Sequence, residues 1–347
     1  MSSVTRTKVF TLCAGVCVVL CALASVYLGA RSFSLSQTTA ILLEGPNASG
    51  SNSVVNQQDH GIIWDLRVPR TLLALVVGAS LSVAGAVAQS WTRNPLADPG
   101  IIGVNAGAGF AVAVALTAGV ANSIGERAVW GIVGAALASA IVLIVSRVSR
   151  DPLTLVLVGV GVTFALQAAT HLLSLYSSDT LEGLRRWTVG STAGRGMQDV
   201  ALATVGCAAG CVIAVIVARS LDVLAMGEET AQSLGTSPER ARSLAALAVI
   251  VLAGTATATV GLVTFVGFAV PHIVRRFTGP ALSRMLAPTA LAGAATVLFA
   301  DIVGRFVLQP NELEMAIVLA IVGAPLMIAA VRSPRRSKAL LQEGMTV

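Results

Sequence analysis

Apolar residues in this chain come in long unbroken stretches, without the alternation of a half-buried strand or the single stripe of a soluble helix. Crossing a bilayer takes about 20 apolar residues per helix. Stretches of that order fall near 9–30, 69–91, 100–120, 127–147, 152–176, 199–218, 241–262, 263–278, 285–307 and 313–331. The pattern predicts an all-α, polytopic membrane protein with about ten transmembrane helices. The third stretch is rich in glycine, and the eighth is short and carries Pro271 and His272. Broken helices of that kind are tolerated only where the freed backbone faces protein or a wet cavity. Two connections are long. Residues 31–66, rich in Ser, Asn and Gln, read as irregular, and residues 219–240 read as short amphipathic helices. Trp64, Trp91, Trp130 and Trp187 lie near stretch ends, as an interfacial belt requires.

Composition sharpens this reading. Hydrophobic residues make up 55% of 347 and charged residues 12%, with mean hydropathy +0.82. Soluble domains carry about 25% charged residues, so lipid is the expected solvent. The basic start at Arg6–Lys8 followed by Val9–Ala30 resembles a signal peptide. Its length suits a span and no soluble domain follows, so it reads as a retained first helix. The 33 glycines suit helices that must approach closely where burial gives no drive.

Net charge is +6, but its distribution is that of membrane topology rather than of a nucleic-acid-binding face. Most basic residues, among them Arg6, Lys8, Arg93, Arg147, Arg150, Arg219, Arg240, Arg242, Arg275, Arg276 and Lys338, fall on one side of the ten-span arrangement. Arg31, Arg67, Arg70, Arg127, Arg185, Arg186, Arg195 and Arg305 fall on the other. The richer side is cytoplasmic, which places both termini there. Cys13, Cys17 and Cys21, and Cys207 with Cys211, recur every four residues without an accompanying histidine, and read as packing residues. His60, His171 and His272 are unlinked, so no metal site is expected. Gly78, Gly85, Pro95 and Gly103 recur, shifted by 176, as Gly254, Gly261, Pro271 and Gly279, a possible inverted repeat of the kind transporters use.

The sequence contains no phosphate-binding G-x-x-x-x-G-K-[ST] loop, so any ATPase has to be a separate subunit that binds ATP and Mg itself. An ion-coupled secondary transporter would need acids deep in its spans, and Asp301 lies close to a span end. A membrane-embedded enzyme would need a clustered His/Asp/Glu or Ser/Lys set, which the spans lack.

Several blocks resemble one family: LRVPRTLLALVVGASLSVAGAVAQSWTRNPLADPGIIGVNAGAG (66–109), LAMGEETAQSLG (224–235), GLVTFVGFAVPHIVR (261–275), ADIVGR (300–305) and NELEMAIVLAIVGAPLMI (311–328). In order and spacing they are similar to the type II ABC importer permeases for ferric siderophores, haem and cobalamin. The resemblance implies one permease domain over residues 1–347 in the inner membrane of a prokaryote. It further implies a second permease subunit, two ATP-binding-cassette subunits and an extracytoplasmic substrate-binding protein, with ferric siderophore as the first substrate choice.

The resemblance also assigns residues. Arg67, Arg70 and Arg305 match arginines that dock the binding protein, with Asp301 placed i,i+4 to hold Arg305. Glu228, Glu229, Ala231 and Gly235 fall in the ATPase-coupling segment, where Leu224, Met226 and Leu234 offer apolar anchors. Asn94 and Leu96 match a cytoplasmic constriction, in a turn made rigid by Pro95 and Pro99. Gly190 and Ser191, after the fifth span, match a short gate-lining helix beside the translocation path.

Overall fold

A computed structural model describes residues 3–29, 31–46, 56–121, 123–146, 152–308 and 311–332. The polypeptide is helical almost throughout. In order the helices are α1 (Ser3–Tyr27), α2 (Leu35–Glu44), α3 (Gln57–Gly61), α4 (Val68–Trp91), α5 (Val104–Thr117), α6 (Ile124–Ser146), α7 (Pro152–Tyr176), α8 (Ser178–Thr188), α9 (Met197–Leu224), α10 (Glu228–Ser233), α11 (Pro238–Val260), α12 (Val266–Thr278), α13 (Leu282–Val307) and α14 (Met315–Arg332). A π-helical turn, Ile62–Arg67, joins α3 to α4, and a 3-10 turn, Pro99–Ile102, leads into α5.

Each of the ten apolar stretches is helical. By length and composition, seven helical stretches among the described residues suffice to cross a membrane: α1, α3 through α4, α6, α7, α9, α11 and α13. The glycine-rich third stretch gives only the short α5 behind its 3-10 turn. The eighth gives α12, which holds Pro271 inside and Arg275 and Arg276 in its last turn. Gly103 at φ +77 holds the start of α5 and Gly279 at φ +84 ends α12, while Pro271 is accommodated inside α12.

The core is made of helices that nearly touch. α4 lies at the centre, against α13, α11, α9 and α12. A Cβ on Gly78 would sit 2.4 Å from the Gly293 carbonyl oxygen, and one on Gly85 would sit 1.8 Å from that of Gly267. Only glycine permits such crossings, and they give the packing that burial alone cannot supply in lipid. By contrast α7 is almost wholly uncovered, exposing Leu157, Phe164, Leu172 and Leu175.

Four sequence readings need correction. Part of 31–66 is ordered: Ser34 and Gln37 form a reciprocal capping box that starts α2, and α3 runs straight into α4. Residues 47–55 of that segment, and Arg147, Arg150 and Lys338 of the charge pattern, lie outside the described residues. Residues 219–224 belong to α9, which continues past the apolar stretch until Leu224. Trp187 is buried in α8 rather than set in an interfacial belt, and its ring lies against Gly109. The repeat does not occupy matching places, since Pro95 lies in a turn and Pro271 inside a helix, while Gly85 is mid-helix and Gly261 caps one.

Candidate functional site

Two clusters of functional candidates lie at opposite ends of α4. At its N-terminal end, Pro69 opens the helix and Arg70 projects one residue later. Arg70 Nη2 reaches Asp301 Oδ1 at 2.9 Å, and its Nη1 reaches Glu312 Oε2 at 2.5 Å. Asp301, on α13, is 1% exposed and also accepts from Arg305 Nη2 at 2.6 Å. Its Oδ1 further accepts from the Thr192 hydroxyl at 2.7 Å. Arg305 spends its remaining donors on the Ser25 carbonyl (2.6 Å), the Leu28 carbonyl (3.0 Å) and the Ser25 hydroxyl (2.9 Å). Two acids thus face two guanidinium groups, and few of their polar atoms are left over. Buried charge is tolerated on those terms.

This network joins the ends of α1, α4 and α13 to two loops. One is 189–196, where Gly190 takes φ +70, a Cβ on it would meet the Leu262 carbonyl, and the Ser191 amide donates to Val260 at 2.8 Å. The other is 311–314, held by the Leu313 amide on the Gly304 carbonyl at 2.9 Å. Arg67 stands apart from the ion pairs. Its guanidinium donates to the carbonyls of Val26 (3.0 Å), Tyr27 (3.1 Å) and Arg31, and lies 4.9 Å from the Phe33 ring centre.

The resemblance gave all three arginines a docking role, which needs a guanidinium open to a partner. Arg67 and Arg305 are instead 5% and 2% exposed, with their donors taken up by the fold, and act here as internal braces. Arg70 alone shares its charge with a partly open acid, Glu312. The Asp301–Arg305 pairing forms as the i,i+4 spacing anticipates. Nothing in the residue pattern points to Thr192, which lies 109 residues from Asp301 and in no helix with it.

At the other end of α4, Asn94 Oδ1 accepts the Leu96 amide at 2.9 Å, and Asp98 Oδ1 accepts that of Gly100 at 2.9 Å. These side chains fold the Pro95–Pro99 segment into two tight turns, with Leu96 exposed. Burial raises the Asp98 carboxyl above its usual range, and the Gly100 amide opposes that rise. Gln89 ties α4 to α12, donating to the Phe268 carbonyl at 3.2 Å and accepting from Arg275 at 2.9 Å.

Beside this turn, α9 ends and the chain reverses through Gly227 (φ +124) into α10. Glu228 and Glu229 occupy the first turn of α10, where the helix field favours negative charge. Ala231 is fully buried as the fixed side of the helix, and Gly235 closes it at φ +78. Met226 and Leu234 stand exposed on the outer side, while Glu228 pairs with Arg242 at 3.1 Å. Leu224 does not match its role as an exposed anchor, because it is buried in the last turn of α9. The arrangement is a small projecting helix with an acidic start and two apolar side chains, suited to a groove on a partner.

Comparison with known proteins gives a consistent picture. The model of the FecCD transport family matches residues 17–333. The chain is 36% identical over 318 residues to the ferric enterobactin transport system permease of Escherichia coli, covering 91% of this chain and 92% of that protein. It is 35% identical to an iron(III)-citrate import system permease of Bacillus subtilis, over 82% of this chain and 89% of that one. A vitamin B12 import system permease of Yersinia enterocolitica is 37% identical, over 77% and 80% of the two chains. Among solved structures, a metal-chelate type ABC transporter in an inward-facing conformation superposes with a TM-score of 0.80 at 27% identity, covering 92% of this chain and 98% of that one.

Proposed function

The chain belongs to the FecCD transport family, and from that premise we propose that it is the membrane-spanning permease subunit of an ATP-driven importer of ferric siderophore or a related metal chelate. The observation that carries the reading is α10, an exposed helix with an acidic start, flanked by exposed apolar Met226 and Leu234, on a chain without a phosphate-binding loop. ATP is hydrolysed in a separate ATP-binding-cassette subunit, two of which serve a pair of permease domains. The α10 end is cytoplasmic and receives the ATPase through Met226, Glu228, Glu229 and Leu234, with buried Ala231 fixing the helix to the fold and Gly235 closing it. The Arg70 end faces outward and receives a substrate-binding protein, whose acids exchange with Glu312 for the Arg70 guanidinium. Asn94 and Leu96 narrow the cytoplasmic exit, and Gly190 and Ser191 edge the path near the outer end.

The test is reconstitution of the permease with its ATPase and binding protein in proteoliposomes, with uptake of radioactive iron as a siderophore chelate. Uptake is expected to follow ATP and to ignore an imposed proton or sodium gradient. Uptake driven by the gradient alone would overturn the reading. The similarity to a vitamin B12 permease makes cobalamin the second substrate to offer in the same assay.

A further inference from the structure

The turn after α4 and the turn after α9 are joined by one side chain. Arg93 follows the last helical turn of α4, and its Nη2 donates to the backbone carbonyl of Leu224, the last residue of α9. The same carbonyl accepts the Gly227 amide at 3.2 Å, so it lies at the foot of the segment carrying α10. A cation is well placed there, because the carbonyls ending a helix carry negative field and the hydrogen bond is charge-assisted.

Arg93 also holds φ +51, and among the described residues Phe265 is the other non-glycine in that region. A residue with a Cβ stays in the left-handed region only when its surroundings compensate. The guanidinium–carbonyl bond to Leu224 supplies such compensation, and the residues that follow directly are Asn94, Pro95 and Leu96. A second tie leaves the same turn of α9. The Asp222 carboxylate accepts the amides of Leu282 (2.5 Å) and Ser283 (3.1 Å) and the Ser283 hydroxyl (2.6 Å), capping α13. The end of α9 is therefore fixed to α13 on one side and to the constriction turn on the other.

We infer that Arg93 is a positioning residue that makes the turn at 94–99 follow the coupling segment, so that the cytoplasmic constriction moves when the ATPase displaces α10. This rests on the permease function proposed above. Without the guanidinium, α10 keeps its ATPase partner and hydrolysis continues, but the turn is no longer drawn along.

The experiment uses the complete reconstituted complex and measures chelate uptake and ATP hydrolysis in the same vesicles for Arg93→Gly, Arg93→Ala and Arg93→Lys. Glycine relieves the backbone but lacks the donor, whereas lysine keeps a cation. The expected result is a fall of roughly tenfold in chelate moved per ATP for both Gly and Ala, the scale of losing one charged hydrogen bond. ATPase subunits should co-purify as in wild type, and lysine should recover part of the ratio. A wild-type ratio in Arg93→Gly would overturn the inference, because backbone shape alone would then suffice. An equal fall in uptake and hydrolysis, or loss of the ATPase subunits, would also overturn it and make Arg93 a structural brace. A wild-type complex that moves no chelate would overturn the permease reading itself, and this inference with it.

Discussion

Replacing Asp301 with asparagine removes the one carboxylate shared by Arg70, Arg305 and Thr192 while keeping its shape. Asparagine retains a carbonyl oxygen, which can serve Thr192 or one guanidinium but not the whole set. Its amide then brings two N–H donors toward groups that are themselves donors. Arg305 stays 2% exposed with its charge unmatched, and Arg70 keeps only Glu312. Leaving a buried charge without its partner costs about 3–5 kcal/mol. Charge-assisted hydrogen bonds to the Ser25 and Leu28 carbonyls continue to hold Arg305, which places the estimate nearer about 3 kcal/mol. In a thermal melt of the detergent-solubilised protein, the midpoint should fall by about 4 °C. Apolar replacement of all three charges, Asp301→Leu with Arg70→Met and Arg305→Met, should recover much of that loss, because no charge is then left buried alone. A midpoint for Asp301→Asn within about 1 °C of wild type would refute the reasoning, since the network would then be contributing no more than an exposed ion pair.

Other substitutions probe the rest of the fold. Gly235→Val places a β-branched residue at φ +78 with no neighbour within 4 Å of the new Cβ, so its cost of about 1–2 kcal/mol is backbone strain alone. It should abolish substrate-stimulated ATP hydrolysis without unfolding the spans, as should Glu229→Lys, and normal transport in either would remove α10 from the coupling path. Gly85→Ala drives a methyl into the Gly267 carbonyl and should cost about 3 kcal/mol or more, whereas Gly15→Ala meets nothing within 4 Å and should be neutral or slightly stabilising in the same melt. A cysteine at exposed Ser36 should react with an impermeant thiol reagent on intact cells, and one at exposed Ser237 only after permeabilisation. Reversed labelling would invert the topology.

The solvent of this protein and its helical character are legible residue by residue. Hydropathy is a running property of the chain, and a bilayer asks each segment for length and apolarity before any partner is considered. That is why each apolar stretch is found as a helix, and why glycine and proline flag α5 and α12 as the short ones. The projecting α10 is legible for a similar reason, because Glu228 and Glu229 at its start and Gly235 at its end are local signals. The capping box at Ser34 and Gln37 was equally local, and a close reading of residues 31–66 would have found it.

What the tertiary structure decided is where the arginines point. The family resemblance gave Arg67 and Arg305 a docking role at the outer end of the spans, which needs an open guanidinium. The fold instead surrounds them with the carbonyls at the end of α1 and with Asp301, which serve them in water's place. Those partners are fixed by how α1, α4 and α13 cross, and the crossing depends on glycine meeting glycine, Gly78 on Gly293, across more than two hundred residues of chain. The Arg93–Leu224 tie, spanning 131 residues, has the same origin. Periodicity carries no information about which helix ends will meet, because that depends on backbone separation at the crossings and not on the chemistry of either end taken alone.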